Sequence, residues 1–375
     1  MSRYYHLFRK IADAGHTVIV VQPPARSSEE TNYIDLPMEA HPNITLHTVR
    51  IAAWIWEFRF PLDKFVKKAF YTAAAYFMVR RLILRERPNV LVLYNLPQYI
   101  YTIALPISIV FDYADDYRAM LNHELEISDD HFLSRFSNRI LQSLIRRAVL
   151  VTSVSGPLLE KVHHHNKLLL PNGADLPHSS ATETILHIDR ERPVIGYVGA
   201  FEYFIDLDLI VDAATELPQY TFLLVGAGRE LNRIKQLIVS KKLQNVILTG
   251  AVPHRQAMQF ISEMDICLNV FRKGPVADAA SPIKLFEYLV RGKPVVTTRL
   301  MEILRIDSGG QAFYYADTLA EIVTTIDEVF RNSTQRTQKV ERGIALVREQ
   351  YTWTSLAQRF VTAVGRTLQP VQESK

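Results

Sequence analysis

The sequence is poor in three features that would each point to a class of protein. It has a single cysteine, Cys267, which excludes an internal disulfide framework and suits a reducing cytosol. Its 43 basic and 39 acidic residues leave a net charge of only +4, so composition gives no support for a nucleic-acid partner. The first ten residues, MSRYYHLFRK, lack the apolar core of a signal peptide. Internal repeats and low-complexity segments are also missing, and we expect a cytoplasmic globular protein.

A long uninterrupted apolar run is missing as well. Residues 88–111 carry no charge, but Pro97 and Pro106, together with Asn95 and Gln98, would break and polarise a membrane-spanning helix. A strand, a short helix and a second strand account for these interruptions. The length of 375 residues, of which 48% are hydrophobic, predicts about two domains with a core in each.

Residues 265–298, DICLNVFRKGPVADAASPIKLFEYLVRGKPVVTT, predict a strand, loop, helix and strand of an α/β fold. The apolar run 265–270 is the buried strand. Ser281 and Pro282 predict the start of the helix, because serine can cap the free backbone donors and proline fits the first helical position. Gly292 predicts its end, and an apolar strand follows.

Lys284 is an unusual residue at the start of this predicted helix. Its charge opposes the positive end of the helix dipole, and no acidic residue in the same turn offsets it. A bound anion would offset it, and backbone N–H groups at a helix start already favour phosphate. Glu287 shares that face of the helix and could accept ribose hydroxyls. The pair indicates a diphosphate and a ribose; the alternative is an ion pair on a solvated helix.

The stretch S-P-I-K-L-F-E-Y-L-V-R-G-K-P-V-V resembles the C-terminal signature of GT-B glycosyltransferases of the large family 4 type. The resemblance implies that Lys284 contacts the donor diphosphate, that Glu287 contacts the ribose, and that Ser281 opens this helix in the donor site. It also implies two doubly wound parallel-sheet, Rossmann-like domains facing a cleft. The family often carries a Glu eight residues before the ribose Glu. Here that position is Ala279, with Asp278 beside it.

Two loops of the predicted C-terminal domain extend the resemblance. The loop that begins at Gly199, G-A-F-E-Y-F-I-D-L-D, contains no Arg or Lys, whereas family members usually have one there for the donor phosphates. The phosphate charge would then rest on Arg272 or Lys273 beside the signature lysine. Residues 250–254, which include Val252, resemble the family loop whose backbone meets the nucleobase.

The N-terminal segment R-K-I-A-D-A-G-H-T-V-I-V-V is similar to the first helix and second strand of the GT-B N-terminal domain. The family has a strand and a Gly-rich loop before this helix. This sequence lacks both, so we expect either a late start of the chain or a sheet without that strand. The motif P-N-G-A-D at 171–175 resembles the interdomain junction, and residues 353–368 resemble the C-terminal helix that crosses back to the first domain.

The motif D-Y-A-D-D-Y follows a predicted buried strand, 107–111, at the end where α/β proteins place ligands. Three carboxylates so close, Asp112, Asp115 and Asp116, can raise the pKa of one of them and suit it for proton transfer. The segment resembles the D-D stretch of polysaccharide-assembly members, which implies that Asp115 or Asp116 orients or deprotonates the acceptor hydroxyl. The alternative is a solvated turn that caps the next helix.

Residues 62–87 predict a long helix. It has apolar residues at helical spacing and lysines along its other side: Phe65, Ala69, Phe70, Ala73 and Phe77, against Lys64, Lys67 and Lys68. With Trp54, Trp56 and Phe58 just before it, the pattern suits a membrane surface containing anionic lipid. The alternative is an ordinary buried core face.

Three consecutive histidines, 163–165, suggest a metal site. Adjacent histidines point in different directions, and neither a carboxylate nor a cysteine accompanies them, so a surface helix end is favoured. We expect no metal and no other cofactor.

These features together predict an acceptor-binding domain at 1–175, a polar linker at 176–192, a nucleotide-sugar-binding domain at 193–350 and a returning helix within 351–375. The resemblance implies a metal-independent, hexosyltransferase-like enzyme of bacterial polysaccharide biosynthesis. It would move a sugar from a nucleotide-diphosphate sugar to a hydroxyl of a glycan or lipid-linked glycan. The alternatives are a nucleotide-sugar epimerase of similar build and a non-catalytic partner of another transferase. A cytoplasmic location is expected, either free or peripheral on the inner face of the membrane.

Overall fold

The computed structural model describes residues 3–22, 41–49, 63–103, 105–177 and 192–369. The chain divides into two compact units. The N-terminal unit contains residues 4–171 and the chain from Ala357 onward, and the C-terminal unit contains Arg3 and residues 172–356. Trp54, Trp56 and Phe58, and most of the predicted linker, lie outside the described residues.

The N-terminal unit contains two parallel sheets. Strands β1 (Val18–Gln22) and β2 (Ile44–Thr48) pair with each other. The second sheet has the order β3-β4-β5-β6, formed by Val90–Leu93, Ser108–Tyr113, Leu150–Ser153 and Lys167–Leu169. The helices are α1 (Arg3–Asp13), α2 (Asp63–Glu86), α3 (Tyr117–Leu125), α4 (Phe132–Arg147) and α5 (Gly156–Glu160), with a 3-10 helix at Leu96–Thr102. None of the described helices, here or in the C-terminal unit, is both long enough and apolar enough to cross a membrane.

The C-terminal unit is built on a six-stranded parallel sheet of order β12-β11-β10-β7-β8-β9. The strands are β7 (Val194–Val198), β8 (Thr221–Val225), β9 (Val246–Gly250), β10 (Ile266–Asn269), β11 (Val295–Thr297) and β12 (Tyr314–Tyr315). The helices are α6 (Leu207–Glu216), α7 (Leu231–Ser240), α8 (His254–Glu263), α9 (Pro275–Asp278), α10 (Ile283–Val290), α11 (Met301–Ile306), α12 (Leu319–Arg331) and α13 (Ser333–Gln350). Helix α14 (Trp353–Leu368) begins in this unit and belongs to the N-terminal unit from Ala357 onward.

The strand order of this sheet creates a switch point. The chain moves outward from β7 through β8 and β9, then returns to β10 on the other side of β7. In open α/β sheets, ligands bind beyond the carboxyl ends of the strands at such a reversal. The residues that follow β7 and β10, beginning at Gly199 and Val270, therefore flank the expected ligand position.

Most strands were predictable because both faces of a parallel sheet are buried, which makes each strand a continuous apolar run. All four residues of β10 are buried, in agreement with the prediction, and so are all five residues of β7. Asp206 caps α6, accepting from the Leu209 N–H at 3.2 Å. The expectation of a parallel α/β architecture is confirmed.

The predicted start of α10 is one residue early. The helix begins at Ile283, Pro282 is its N-cap residue, and no side chain caps it. The Ser281 hydroxyl instead accepts a hydrogen bond from the Asn172 N–H at 3.1 Å. The cap prediction was wrong because a distant loop of the same unit uses this hydroxyl. Gly292, with φ of 68°, ends the helix as expected.

In α2, the apolar residues that would form an ordinary buried core face are not the ones that pack inward. Phe77 is 75% exposed, Phe70 is 45% exposed, and Lys67 is buried. The buried face of the helix consists of Thr72, Ala75, Val79, Leu82 and Ile83. The helix is apolar on two faces, so its period does not specify which face packs inward.

Candidate active site

Lys284 lies on the first turn of α10 in the C-terminal unit, and its amine is at the switch point of the sheet. Its Nζ donates a 2.7 Å hydrogen bond to the hydroxyl of Tyr197, which is on β7. The same atom lies 4.1 Å from the centroid of the Tyr197 ring and 5.0 Å from that of Phe271, just after β10. Two aromatic faces and a hydroxyl therefore surround this amine.

Burial has a strong electrostatic effect on Lys284. Desolvation lowers the pKa of its amine to about 7, and the nearby Glu287 carboxylate partly opposes that shift. Within the part of the chain that the structure describes, no carboxylate lies within ion-pair distance of Nζ. The first turn of α10 contains no acidic residue. An anion that entered this position would meet a cation with no direct counter-ion.

Gly199 provides the space beside this amine. A Cβ atom at this position would lie 2.9 Å from the Tyr197 hydroxyl and 3.2 Å from Lys284 Nζ. The φ angle of Gly199 is 153°, a conformation that L side chains rarely adopt. Gly226 packs on the same loop, where an added Cβ would come within 1.9 Å of the Gly199 carbonyl oxygen. The loop after β7 thus requires glycine, because a side chain at this position would crowd the Tyr197 hydroxyl and the amine.

Glu287 lies one turn after Lys284 and is buried. Its Oε1 is 2.8 Å from Nε2 of His254, the first residue of α8. Glu287 also raises the pKa of Arg291, although burial of that guanidinium lowers it overall. The predicted alternative of an exposed ion pair between Lys284 and Glu287 does not fit, because the carboxylate is buried and bound to a histidine.

The other predicted cations already have partners. Arg272 bonds to Asp208 and lies 3.7 Å from Asp206, and Lys273 bonds to Asp317 at 2.9 Å. These carboxylates neutralise them in the described structure. The prediction that either cation would supply phosphate charge stays untested, but the geometry favours Lys284 alone.

Three further predicted residues have structural roles in the C-terminal unit. The Ser281 hydroxyl is buried against Asn172. Val252 is partly buried against the core, in the loop before α8. Asp278, next to the buried Ala279, accepts from the Met301 N–H at 3.2 Å and so satisfies the start of α11.

The two predicted catalytic carboxylates of the N-terminal unit differ in environment. Asp116 is buried, caps α3 through the Ala119 N–H at 3.1 Å and receives a 2.6 Å hydrogen bond from Lys161 Nζ. Asp115 is exposed, and its carbonyl accepts from the Tyr117 N–H. Asp112 is buried and accepts from Thr152 at 2.6 Å. Asp116 therefore caps α3 as a buried residue, and Asp115 is the carboxylate exposed to solvent; the catalytic role stays a prediction.

Comparisons with known proteins agree with this geometry. A family model described as "glycosyl transferase-like" matches residues 208–362. A Bacillus subtilis (strain 168) protein named as the glycosyltransferase TuaH of teichuronic acid biosynthesis is 26% identical over 281 residues, 68% of this chain and 66% of that protein. Sucrose-phosphate synthase from Thermosynechococcus elongatus has a TM-score of 0.75 at 14% identity, over 96% of this chain and 91% of that one.

The Anabaena protein HepE (Alr3699), solved in complex with UDP and glucose, has a TM-score of 0.71 at 15% identity over 97% of this chain and 96% of its own. The chain has the GT-B fold, and its residues 208–362 form a glycosyl transferase-like domain. The recognition made from the 281–296 stretch is thereby confirmed. The sequence did not indicate Tyr197 or Phe271, because neither lies in the signature, and it included His254 only as the last residue of the 250–254 loop.

Proposed function

We propose that this glycosyltransferase moves a sugar from a uridine diphosphate sugar to a hydroxyl of a bacterial cell-surface glycan. The enclosed amine of Lys284, at the switch point with no carboxylate in ion-pair contact within the described residues, is the observation that carries the donor assignment. UDP and glucose in the HepE complex support uridine, and the TuaH relative supports a surface polysaccharide. The C-terminal unit would hold the donor and the N-terminal unit the acceptor.

The reaction breaks the bond between the anomeric carbon of the sugar and the diphosphate oxygen. The departing nucleoside diphosphate keeps the bonding electrons, and the acceptor oxygen forms the new bond. Protonated Lys284 and the N–H groups at the start of α10 would stabilise the charge that develops on the diphosphate. Because Lys284 supplies a cation at this position, we propose that departure of the nucleoside diphosphate needs no bound metal.

Two carboxylates would complete the site. Glu287, positioned by His254, would accept hydroxyls of the ribose. Asp115 would accept the proton of the acceptor hydroxyl, since its side chain is exposed whereas Asp116 is buried with a lysine partner. Of the two candidates named from the sequence, exposure and bonding thus favour Asp115.

A thermal-stability screen with a panel of nucleotide sugars tests the donor assignment, because a ligand that binds only the folded protein raises its melting temperature. The proposal predicts that uridine diphosphate sugars raise the melting temperature. It also predicts that the donor is consumed only by transfer of its sugar to an acceptor or to water. Conversion of the donor to an epimer without acceptor would indicate the epimerase. No shift with any uridine or guanosine diphosphate would indicate a non-catalytic partner.

We also propose that the N-terminal unit rests on a membrane surface that contains anionic lipid. Helix α4 carries four arginines and no acidic residue, and its exposed face includes Phe132, Phe136, Arg135 and Arg139. Both α4 and α2 pack against the 3-10 helix, and α2 exposes Phe70, Phe77, Leu84, Arg80 and Arg81. Exposed aromatic rings among exposed positive charges suit the headgroup layer of such a membrane.

Vesicle sedimentation tests this surface. The wild type should bind phosphatidylcholine vesicles that contain phosphatidylglycerol, and the double variant Arg135→Gln/Arg139→Gln should bind them roughly 10- to 30-fold more weakly. Phe132→Ser/Phe136→Ser should weaken binding to these vesicles and also to vesicles of phosphatidylcholine alone. Val239→Ser, which alters an equally exposed apolar residue of the C-terminal unit, is the control. Equal binding by all four proteins would refute the proposal.

A further inference from the structure

Tyr197 is the nearest neighbour of the Lys284 amine. We propose that Tyr197 is a positioning residue of the donor site, holding this amine in place for the diphosphate and tying it to the loop after β7. The inference rests on the proposed function, because it assumes that Lys284 meets the diphosphate. It adds a residue that lies outside the signature and 87 positions before Lys284 in the chain.

The hydrogen-bond directions at the Tyr197 oxygen are fixed by its partners. Its single O–H donates to the Ala200 carbonyl oxygen at 2.8 Å. The same oxygen must therefore accept the N–H of Lys284, at 2.7 Å. One of the three hydrogens of a protonated amine is thereby committed to Tyr197. The others remain for phosphate oxygens, and the orientation of the ammonium group is set before the donor arrives.

The ring of Tyr197 acts on the same amine in a second way. Nζ lies 4.1 Å from its centroid, within the range of a cation–π interaction, and the Phe271 ring adds another face at 5.0 Å. Aromatic faces stabilise a buried cation without neutralising it, which a carboxylate would do. The full charge thus remains for an incoming anion, while part of the cost of burying it is offset.

The composition of the surrounding loops explains why this chain needs such an arrangement. The loop from Gly199 to Asp206 contains no Arg or Lys. Arg272, the next cation beyond Phe271, bonds to Asp208 on α6. Of Lys284, Arg272 and Lys273, Lys284 alone has no carboxylate partner among the described residues, so the position of its amine determines binding. The link from Tyr197 to Ala200 also couples the amine to the glycine loop that encloses it.

Tyr197→Phe tests the inference, because it keeps the ring and removes only the hydroxyl. The matched control is Tyr288→Phe. Tyr288 is also buried, and its hydroxyl bonds to the backbone of Val198 on the same strand, at 2.8 Å to the nitrogen. Both variants lose a buried tyrosine hydroxyl against β7, but only the first loses the partner of Lys284.

Binding of UDP-glucose should be measured by calorimetry between pH 6 and 8.5, a range in which this probe does not titrate. For Tyr197→Phe we expect about tenfold weaker binding at pH 6, because a hydrogen bond to a charged group is lost. We also expect the affinity to start falling at a lower pH than in the wild type, since the charged form of Lys284 has lost an acceptor. Tyr288→Phe should keep the wild-type pH profile even if it unfolds at a lower temperature.

Three outcomes separate the inference from the proposed function. Failure of the wild type to bind UDP-glucose or any other nucleotide sugar would remove the proposed function. Normal binding by the wild type with an unchanged affinity and pH profile in Tyr197→Phe would overturn the inference alone. An equal shift of the pH profile in both tyrosine variants would also overturn it, because the effect would then be a general one on β7.

Discussion

The carboxylate of Asp116 receives a 2.6 Å hydrogen bond from Nζ of Lys161, 45 residues further along the chain, while its other oxygen caps helix α3. Lys161 is about half exposed, whereas Asp116 is buried. An acid that holds a helix start and a lysine in this way is part of the framework of the N-terminal unit. It is poorly placed to collect a proton from a substrate.

This arrangement predicts different effects for the two neighbouring acids. Asp116→Ala should lower the free energy of unfolding by about 2 kcal/mol, because a helix cap and a charged hydrogen bond are lost together. Asp115→Asn should leave stability unchanged within about 0.5 kcal/mol and lower kcat by a factor of roughly 100 or more. Urea denaturation and steady-state kinetics measure the two quantities. A stable Asp116→Ala protein with lost turnover would reverse the assignment.

Donor binding should depend on pH through Lys284. Burial lowers the pKa of this amine to about 7 in the ligand-free protein, and a diphosphate favours its charged form. Affinity for UDP-glucose should therefore be greatest below pH 7 and fall as the pH rises above it, by up to tenfold per unit. Calorimetric titration at several pH values checks this dependence. A constant affinity from pH 6 to 8.5 would show that the amine does not change charge in this range.

The same residue should destabilise the ligand-free protein. The pKa of Lys284 is about 7 when folded against 10.5 ordinarily, so the unfolded chain binds more protons between these values. The cost of burying the amine is therefore complete below pH 7 and is relieved as the pH rises towards 10.5. Lys284→Met should raise the free energy of unfolding at pH 6 by roughly 1–4 kcal/mol, with a smaller gain at pH 9.

Urea denaturation of the ligand-free protein at both pH values measures this effect. Lys235→Met, at an exposed lysine of α7, is the control and should change little at either pH. A Lys284→Met protein less stable than the wild type at pH 6 would show that the amine contributes to folding rather than opposing it.

Removal of metal ions tests a separate part of the chemistry. If Lys284 and the start of α10 carry the diphosphate charge, dialysis against EDTA should reduce transferase turnover by less than about twofold. Adding Mg²⁺ or Mn²⁺ back should not raise it further. A loss of activity that either ion restores would mean that a metal shares the diphosphate with Lys284.

Local patterns predicted much of the C-terminal unit. Its strands are short apolar runs, and the lysine at the start of α10 stands out because it opposes the helix dipole. The surroundings of that lysine could not be predicted in the same way. Tyr197 and Phe271 reach the amine only because β7 and β10 become neighbours when the sheet reverses direction. Sequence spacing contains no sign of that pairing.

Other features depended on distant partners or on ambiguous patterns. Arg272 bonds to Asp208, 64 residues away, a contact that sequence spacing does not indicate. Ser281 resembled a helix cap, but Asn172 uses its hydroxyl. In α2, apolar residues occupy two faces, and Val79 is buried whereas Phe77 is exposed. Each case required tertiary contacts that periodicity and spacing do not encode.

Calorimetric titration of UDP-glucose into the wild type, Lys284→Met and Lys284→Arg at pH 6.5 tests the central claim most directly. The account predicts clear binding to the wild type and at least 100-fold weaker binding to Lys284→Met, because the charge that meets the diphosphate is gone. Lys284→Arg should recover only part of the affinity, since a planar guanidinium does not fit the position held by Tyr197. Equal affinity of the wild type and Lys284→Met would contradict the account.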